Sequence, residues 1–484
     1  MKTISLRKIS IPDSVLRIVY ASTAHRCHVL PLMSCGEKLS VAVSPDRDPL
    51  EAVDAIEKET GLTVEYLVAD SKDDLELALK RYYPAVEKGK NGTASGLFEL
   101  LLNRALQLRA SDIHICPDEN GADIQLRIDG RMQSLRHIDA STRTELSAVI
   151  KIAADLDIAE KRIPLDGSIN MNLGDEKVSL RVATIPTIHG EHLTLRLLAQ
   201  DYGETFERID SLGMNAAQQR LFEETLNSPN GIILLSGPTG SGKTTTLYAA
   251  LRYLRTKKGL HLISIEDPVE KNIDGVTQVK IDQDCERLTF NKALRSVLRH
   301  DPDIIMIGEI RDGETGDIAV KAALTGHLVL STLHTNSAAG VLTRLENLGI
   351  APFLVASTLR IAIAQRLVRT PCPFCMKKRR PTPEECVEFH WNSKDPSLQI
   401  PEPVGCSFCD GTGYAGRIGL YELIPIDDSL RKMILKNADE REIEKYVFTE
   451  RGLLSLRMDG AAKILEGKTT IQEVRNVTNS ILEW

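Results

Sequence analysis

The chain has 484 residues, length enough for about three domains, each with its own core. Apolar residues at 42% and charged residues at 26% are ordinary globular values and exclude a disordered or fibrous chain. Its 60 basic and 67 acidic side chains give a net charge of −7, and with 4% aromatic residues this argues against a nucleic-acid partner.

No run of about 18 apolar residues marks a membrane span. Lys2, Arg7, Lys8, Asp13 and Arg17 interrupt the apolar stretch that a signal peptide would need, so the expected location is the cytoplasm. Nine cysteines in such a chain point to thiols or a metal site rather than a disulfide framework.

Residues 1–85 read as a small α+β leading domain. A strand-like stretch, Lys38 to Val43, precedes helical patterns over Leu50–Glu59 and Lys72–Tyr83, the second stopping at Pro84. Residues 86–96, polar and rich in glycine, read as a linker. A second domain, 97–203, opens with a helical pattern over Leu97–Leu108 and continues in alternating strands such as Ile124–Ile128 and Val178–Val182. From 204 to 484, short apolar strands alternate with helical stretches, the rhythm of a parallel sheet covered by helices.

The strongest local signal is Gly237-Pro238-Thr239-Gly240-Ser241-Gly242-Lys243-Thr244, followed by Thr245. It fits G-x-x-x-x-G-K-[ST], with an apolar strand before it (Gly231–Leu235) and a helix after it (Thr244–Arg255). Glycines there let backbone N–H groups curl round phosphates at the positive end of the helix. Lys243 is the candidate for the β- and γ-phosphates of ATP, and the Thr244 hydroxyl for Mg²⁺.

Phosphoryl transfer also needs carboxylates. The run Ile304–Ile307 ends in Gly308-Glu309 at the C-terminal edge of a predicted strand, where parallel sheets place ligands. Glu309 is the candidate for polarising the attacking water. The usual preceding Asp is Gly308, so Glu266, Asp267 and Glu270, after the strand Leu262–Ile265, are the candidates for the metal shell. His327 and His334 flank the strand Leu328–Thr332 and are candidates for sensing the γ-phosphate or holding the acids, against the commoner role of a structural histidine.

Cys372, Cys375, Cys406 and Cys409 form two C-x-x-C knuckles separated by residues 376–405. Two short-spaced thiol pairs suit a closed, structural, tetrahedral Zn²⁺ site over about residues 370–413, with an insertion between the pairs. Cys386 reads as a bystander, and Cys27, Cys35, Cys116 and Cys285 as packing residues.

The order of these motifs resembles the cytoplasmic assembly ATPases of type II secretion and type IV pilus machines. The match runs through the P-loop, the acidic segment Ile265–Glu270, the Walker B-like Asp301–Asp312, and the histidine segments Thr325–His327 and Leu333–Asn336. Upstream it includes Ala110–His114, Arg127–Gly130, Arg181–Thr184 and Gly190–Arg196; downstream it includes Gly411–Arg417. In all it covers residues 97–484.

The resemblance implies a RecA-like P-loop ATPase core, a PAS-like domain before it, the small leading domain and the Cys₄ zinc-binding insertion. It implies that Glu309 is the catalytic base and that Arg181 and Arg196 approach the phosphates. The implied assembly is a homo-hexamer at the cytoplasmic face of the inner membrane. It would work on a platform protein, bind a docking protein, and reach the membrane only through such partners.

In some relatives a domain similar to residues 1–85 binds cyclic di-GMP through an Arg-Leu-Gly motif. That motif is not found here, and docking to an inner-membrane partner is the expectation. Two residues depart from the family pattern: Gly316 where Ala is commoner, and Ser168 where Arg is usual. The rival readings are a conjugative or DNA-translocating ATPase, which would need a basic stripe, and a non-hydrolysing scaffold, which would lack a base at Glu309.

Overall fold

The computed structural model describes residues 3–82 apart from 5, 7–10, 12, 17, 20–22, 25–26 and 36–37, and residues 93–478 apart from 174–175, 199–207, 258, 282–287, 407–408 and 410. Residues 86–92 of the expected linker and Cys285 therefore lie outside the described residues, as does the side chain of Cys35. The chain divides into two compact units. One holds Met1–Gln200, Pro371–Lys377 and Glu402–Ala415; the other holds Asp201–Thr370, Lys378–Pro401 and Gly416–Trp484.

The first unit begins with strands β1 (Thr3–Ile4), β2 (Val29–Cys35), β3 (Lys38–Val43) and β4 (Thr63–Ala69), in the order β1-β4-β3-β2. Helices α1 (Asp13–Leu16), α2 (Pro49–Thr60) and α3 (Lys72–Tyr82) accompany them. The start and stop of α2 are written in its sequence. The Asp48 carboxylate accepts from Leu50 N, Pro49 opens the first turn, and Gly61 at φ 69° ends the helix. Leu30, Leu39, Val41, Ile56 and Leu75 form a separate small core, with Cys27 packed at its edge.

Next comes α4 (Ala94–Gln107). It starts three residues before the apolar periodicity, because the Thr93 hydroxyl accepts from Gly96 N and caps the first turn. The strands β5 (Asp112–Pro117), β6 (Gly121–Ile128) and β7 (Arg131–Asp139), then helix α5 (Ala140–Ala153), then β8 (Leu165–Leu173), β9 (Glu176–Thr187) and β10 (Gly190–Leu197) complete the layer. The sheet is antiparallel in the order β7-β6-β5-β10-β9-β8. Asp129 and Gly130, at φ 48° and 82°, turn β6 into β7, a hairpin geometry that Asp-Gly favours. Phe98, Leu102, Leu146 and Ile150 from the two helices share a core with Ile113, Ile124, Leu180 and Leu193 from the strands.

The second unit is built on strands β11 (Gly231–Ser236), β12 (Leu262–Glu266), β13 (Thr277–Lys280), β14 (Ile304–Ile307), β15 (Leu328–Leu333), β16 (Leu359–Pro371) and, after the insertion, Tyr414–Pro425. The sheet order is β13-β12-β14-β15-β11-β16, then the Tyr414–Pro425 strand, and the first six strands pair in parallel. Parallel strands need crossovers, and α6 (Lys243–Arg255), α7 (Phe290–Val297), α8 (Gly313–Leu324) and α9 (Gly340–Asn347) are helices along those crossovers.

Both faces of this sheet are buried. Ile232 and Leu234 belong to one core, while Ile233 and Leu235 belong to another on the opposite face. Each such side chain contributes about 1.5–3 kcal/mol relative to exposure. That pattern explains why β11 reads as an uninterrupted apolar run.

The expected insertion between the cysteine pairs contains a two-stranded sheet, Lys377–Arg379 with Ile400–Glu402, and a helix, Pro383–Glu388. Arg379 binds Glu385 through two hydrogen bonds of 2.7 and 2.6 Å, and Glu388 binds both Arg475 and Arg457. Cys386 is buried there, a packing residue. At Gly316, where the family pattern has Ala, an added Cβ would lie 2.7 Å from Ile350 Cδ1, so Ile350 would have to shift to admit it.

Candidate active site

The P-loop follows β11 and enters α6. Gly237, Gly240 and Gly242 take φ values of 149°, 80° and 88°, which side chains rarely adopt. A Cβ on Gly237 would also lie 2.5 Å from Gln365 O and 2.6 Å from Ser241 Oγ, so the loop lies against β16 where only glycine fits. Pro238 and Thr239 complete the curve, Thr244 is half-buried in the first helical turn, and Thr245 is exposed.

Lys243 is buried. Its ammonium donates to Gly237 O at 2.7 Å and Pro238 O at 3.1 Å, the loop's own carbonyls. Burial pushes its pKa down to about 8; the charge of Glu309 opposes that shift and the charge of Arg366 adds to it. The Ser241 hydroxyl is buried without a hydrogen-bond partner. A glycine-lined loop, a buried cation held only by carbonyls and an orphaned hydroxyl together suit the phosphates of a nucleotide.

Glu309 stands at the C-terminal edge of the same sheet, after β14. Its Oε1 accepts from Arg311 Nη2 at 2.5 Å, and His334 Nε2 lies 3.3 Å from Oε2. Burial would raise its pKa, but the hydrogen bonds and charges of Arg311 and His334 outweigh that and hold it below the usual carboxylate value. His334 directly follows β15, whose end lies beside the end of β11, so it shares the P-loop edge.

The other acids divide. Glu266 is buried: Tyr248 Oη donates to its Oε2, and Ser264 Oγ and Gln278 Nε2 donate to its Oε1 at 2.5 and 3.0 Å. Its carboxylate is engaged by these three side chains in the protein interior. Asp267 is half-exposed, and its charge acts on Arg311. Glu270 is exposed.

His327 is also not in the cluster. It precedes β15, and its carbonyl accepts from Gly231 N at the start of β11, so it lies at the sheet edge opposite the P-loop. Its ring Nδ1 approaches Ala322 O at 3.0 Å, beside the C-terminal end of α8. Within the chain this is a helix-end role.

Arg181 and Arg196 lie in the first unit, on β9 and β10. Arg196 Nε donates to Asp112 Oδ1 at 2.8 Å, while Arg181 is exposed and opposite Ser168. The arginine missing at 168 is therefore a direct cross-strand neighbour of Arg181.

Two residues beside the P-loop carry no sequence motif. Gln365 Oε1 accepts from Thr246 Oγ1 at 2.9 Å. The buried Arg366 guanidinium donates to Gln365 O at 2.9 Å and to Asn336 O at 2.7 Å. Only the strand order that places β16 beside β11 identifies them.

The four cysteine sulfurs of the knuckles lie within 4.8 Å of one another. Sγ–Sγ distances are 3.9 Å for Cys372–Cys406 and 3.8 Å for both Cys375–Cys409 and Cys406–Cys409. Thiolates around tetrahedral Zn²⁺ at about 2.3 Å stand about 3.8 Å apart. Gly405 N points at Cys375 Sγ (3.3 Å), and Cys406 N and Gly413 N point at Cys409 Sγ (3.2 and 3.1 Å), the donors that stabilise thiolates. The donor set fits zinc.

Among the described residues, no helix is long and apolar enough to cross a membrane. Residues 87–476 match the profile of the type II/IV secretion system protein family, and residues 1–89 match that of the MshEN domain. The chain is 39% identical to type II secretion system protein E of Pseudomonas aeruginosa, covering 93% of this chain and 87% of that one. It is 39% identical to the type IV pilus assembly ATPase PilB of Myxococcus xanthus (97% and 88%), and 42% identical to the type II secretion system ATPase E of Vibrio cholerae (86% and 82%).

Among solved structures, the pilus retraction motor PilT matches at a TM-score of 0.54 and 24% identity, covering 80% of this chain and 98% of that one. The ATPase DotB of Legionella pneumophila matches at 0.56 and 22%, covering 80% and 95%. These two establish the fold. The extended sequence identity and the profile match establish the family: the chain belongs to the type II/IV secretion system proteins, the ATPases of secretion and pilus machines.

Proposed function

We propose that the chain turns ATP hydrolysis into work for a type II secretion or type IV pilus machine, with the chemistry at the P-loop edge of the second unit. The observation that carries this is the meeting of Lys243 and Glu309. A buried cation in a phosphate-shaped loop stands within electrostatic reach of a carboxylate kept ionised by Arg311 and His334.

In this reading the N–H groups of 237–244 and the Lys243 ammonium hold the β- and γ-phosphates. Glu309, ionised, takes a proton from the attacking water as its oxygen closes on the γ-phosphorus and the bond to the β-phosphate oxygen breaks. Thr244, with Asp267 and Glu270 beyond it, would hold the Mg²⁺ that accompanies ATP and neutralises charge between the two phosphates. Arg181 and Arg196 are the proposed further sources of positive charge. Cys372, Cys375, Cys406 and Cys409 would hold a structural Zn²⁺, with no part in the chemistry.

The family resemblance supports a hexameric ring at the cytoplasmic face of the inner membrane, working on a platform protein. Residues 1–85 would serve as the docking domain, 97–203 as the PAS-like domain and 204–484 as the motor. The decisive test is Glu309→Gln. Hydrolysis is expected to fall by at least about 100-fold while an ATP analogue still binds. An unchanged rate overturns the assignment of the base.

A further inference from the structure

The Tyr248 hydroxyl fastens the loop that carries Asp267 and Glu270 to the P-loop helix. Tyr248 lies on α6, in the helix that opens with Lys243, and is buried. Its Oη donates to Glu266 Oε2 and accepts from Glu270 N at 3.1 Å and Lys271 N at 3.3 Å. A phenol has one donor and two acceptor lone pairs, so the capacity of this hydroxyl is fully used.

The far side of the loop is fastened by Gln278 on β13. Its amide donates to Glu266 Oε1 (3.0 Å) and Lys271 O (2.9 Å), and its Oε1 accepts from Ile273 N (2.8 Å). Burial, followed by the hydrogen bond to Glu266, raises the Tyr248 pKa, so the phenol stays protonated as the donor.

A backbone held at two consecutive N–H groups has little freedom to pivot. Any displacement of α6 would therefore be passed to residues 270–271, and the charge of Asp267 acts on Arg311, the partner of Glu309. Nothing in the motif pattern requires a tyrosine five residues after the P-loop lysine. Its hydroxyl is what ties the loop to the helix. We propose that Tyr248 is a positioning residue that fixes where Glu270 and Asp267 stand relative to the P-loop, and so contributes to the rate of hydrolysis rather than to the binding of nucleotide. This rests on the reading of Glu270 given under Proposed function.

The test is a cycle of Tyr248→Phe and Glu270→Gln in the full chain, read as kcat, KM for ATP, affinity for a fluorescent ATP analogue, and melting temperature. Tyr248→Phe is expected to lower kcat about tenfold with analogue affinity within about twofold of wild type, the signature of lost orientation. In the Glu270→Gln background it should add nothing further.

Losses that multiply in full, or an unchanged kcat in Tyr248→Phe, overturn the proposal. A wild-type rate in Glu270→Gln removes the role given to Glu270, and the proposal with it, while leaving the base assignment to the Glu309→Gln test. Should the phenylalanine variant fail to fold, Gln278→Leu, which frees the far side of the same loop, is expected to give the same kcat-only loss. A loss of analogue affinity instead would overturn the proposal.

Discussion

Arg311 holds Oε1 of Glu309 at 2.5 Å while His334 faces Oε2 at 3.3 Å, so each oxygen of the proposed base has its own nitrogen partner. The arrangement keeps the carboxylate charged in spite of its burial, and it comes from two neighbouring strand ends, those of β14 and β15, meeting at one sheet edge.

Removing the guanidinium should therefore show in the pH dependence. Glu309 has a depressed pKa because Arg311 and His334 outweigh burial; without Arg311 that pKa rises. Arg311→Met is expected to slow hydrolysis and to move the acid limb of the kcat profile to higher pH, so the loss is larger near about pH 6 than near about pH 8. A limb that stays in place would show that the ion pair does not govern the base.

Lys243 predicts a proton linkage of opposite sense. Burial pushes the empty-site ammonium down to about 8, so its charge is lost as pH rises through that value. Phosphates favour the charged form, so nucleotide binding should take up a proton there. Affinity is expected to weaken with rising pH by at most about tenfold per unit. Calorimetry in buffers of different ionisation enthalpy reads the uptake directly, and buffer-independent heats near pH 8 would contradict it.

Gly316→Ala tests the packing account of a family departure. Alanine is the better helix former by up to about 1 kcal/mol. Here its Cβ would meet Ile350 Cδ1 at 2.7 Å, and overpacking of this kind costs about 1–3 kcal/mol. The single variant should be destabilised in urea unfolding. Gly316→Ala with Ile350→Val, which lacks that Cδ1, should recover most of the loss. Equal stability of the single and double variants would show that Ile350 does not set the requirement.

The cysteine site predicts separable stability. Each purified chain is expected to hold one zinc, and Cys409→Ser or chelation should abolish it. Hydrogen exchange should then rise over 371–377 and 402–415, with ATP-analogue affinity unchanged within about twofold. Metal analysis finding no zinc in the native chain would count against the assignment, and so would loss of nucleotide binding on chelation.

The limits of sequence reading appear in particular residues. His327 and His334 look equivalent in the sequence, flanking one apolar run. A strand of six residues separates them by about 20 Å, so one reaches the P-loop edge and the other the far edge. Glu266, Asp267 and Glu270 look like one acidic group. Glu266 is the last residue of β12 and turns inward to Tyr248, Ser264 and Gln278, while the other two follow in the loop. Gln365 and Arg366 left no signal, since their place beside the P-loop depends on the pairing of β16 with β11 across more than a hundred residues.

Local chemistry was determined by the sequence itself: the glycine-lined loop, the lysine that fills it, the cysteine knuckles and the caps of α2 and α4. A few consecutive residues are enough to dictate backbone dihedral angles and short-range hydrogen bonds. The tertiary structure alone decided which carboxylates, histidines and arginines share the space around that loop. Strand order and parallel crossovers set distances between residues far apart in the chain, and no local spacing encodes them.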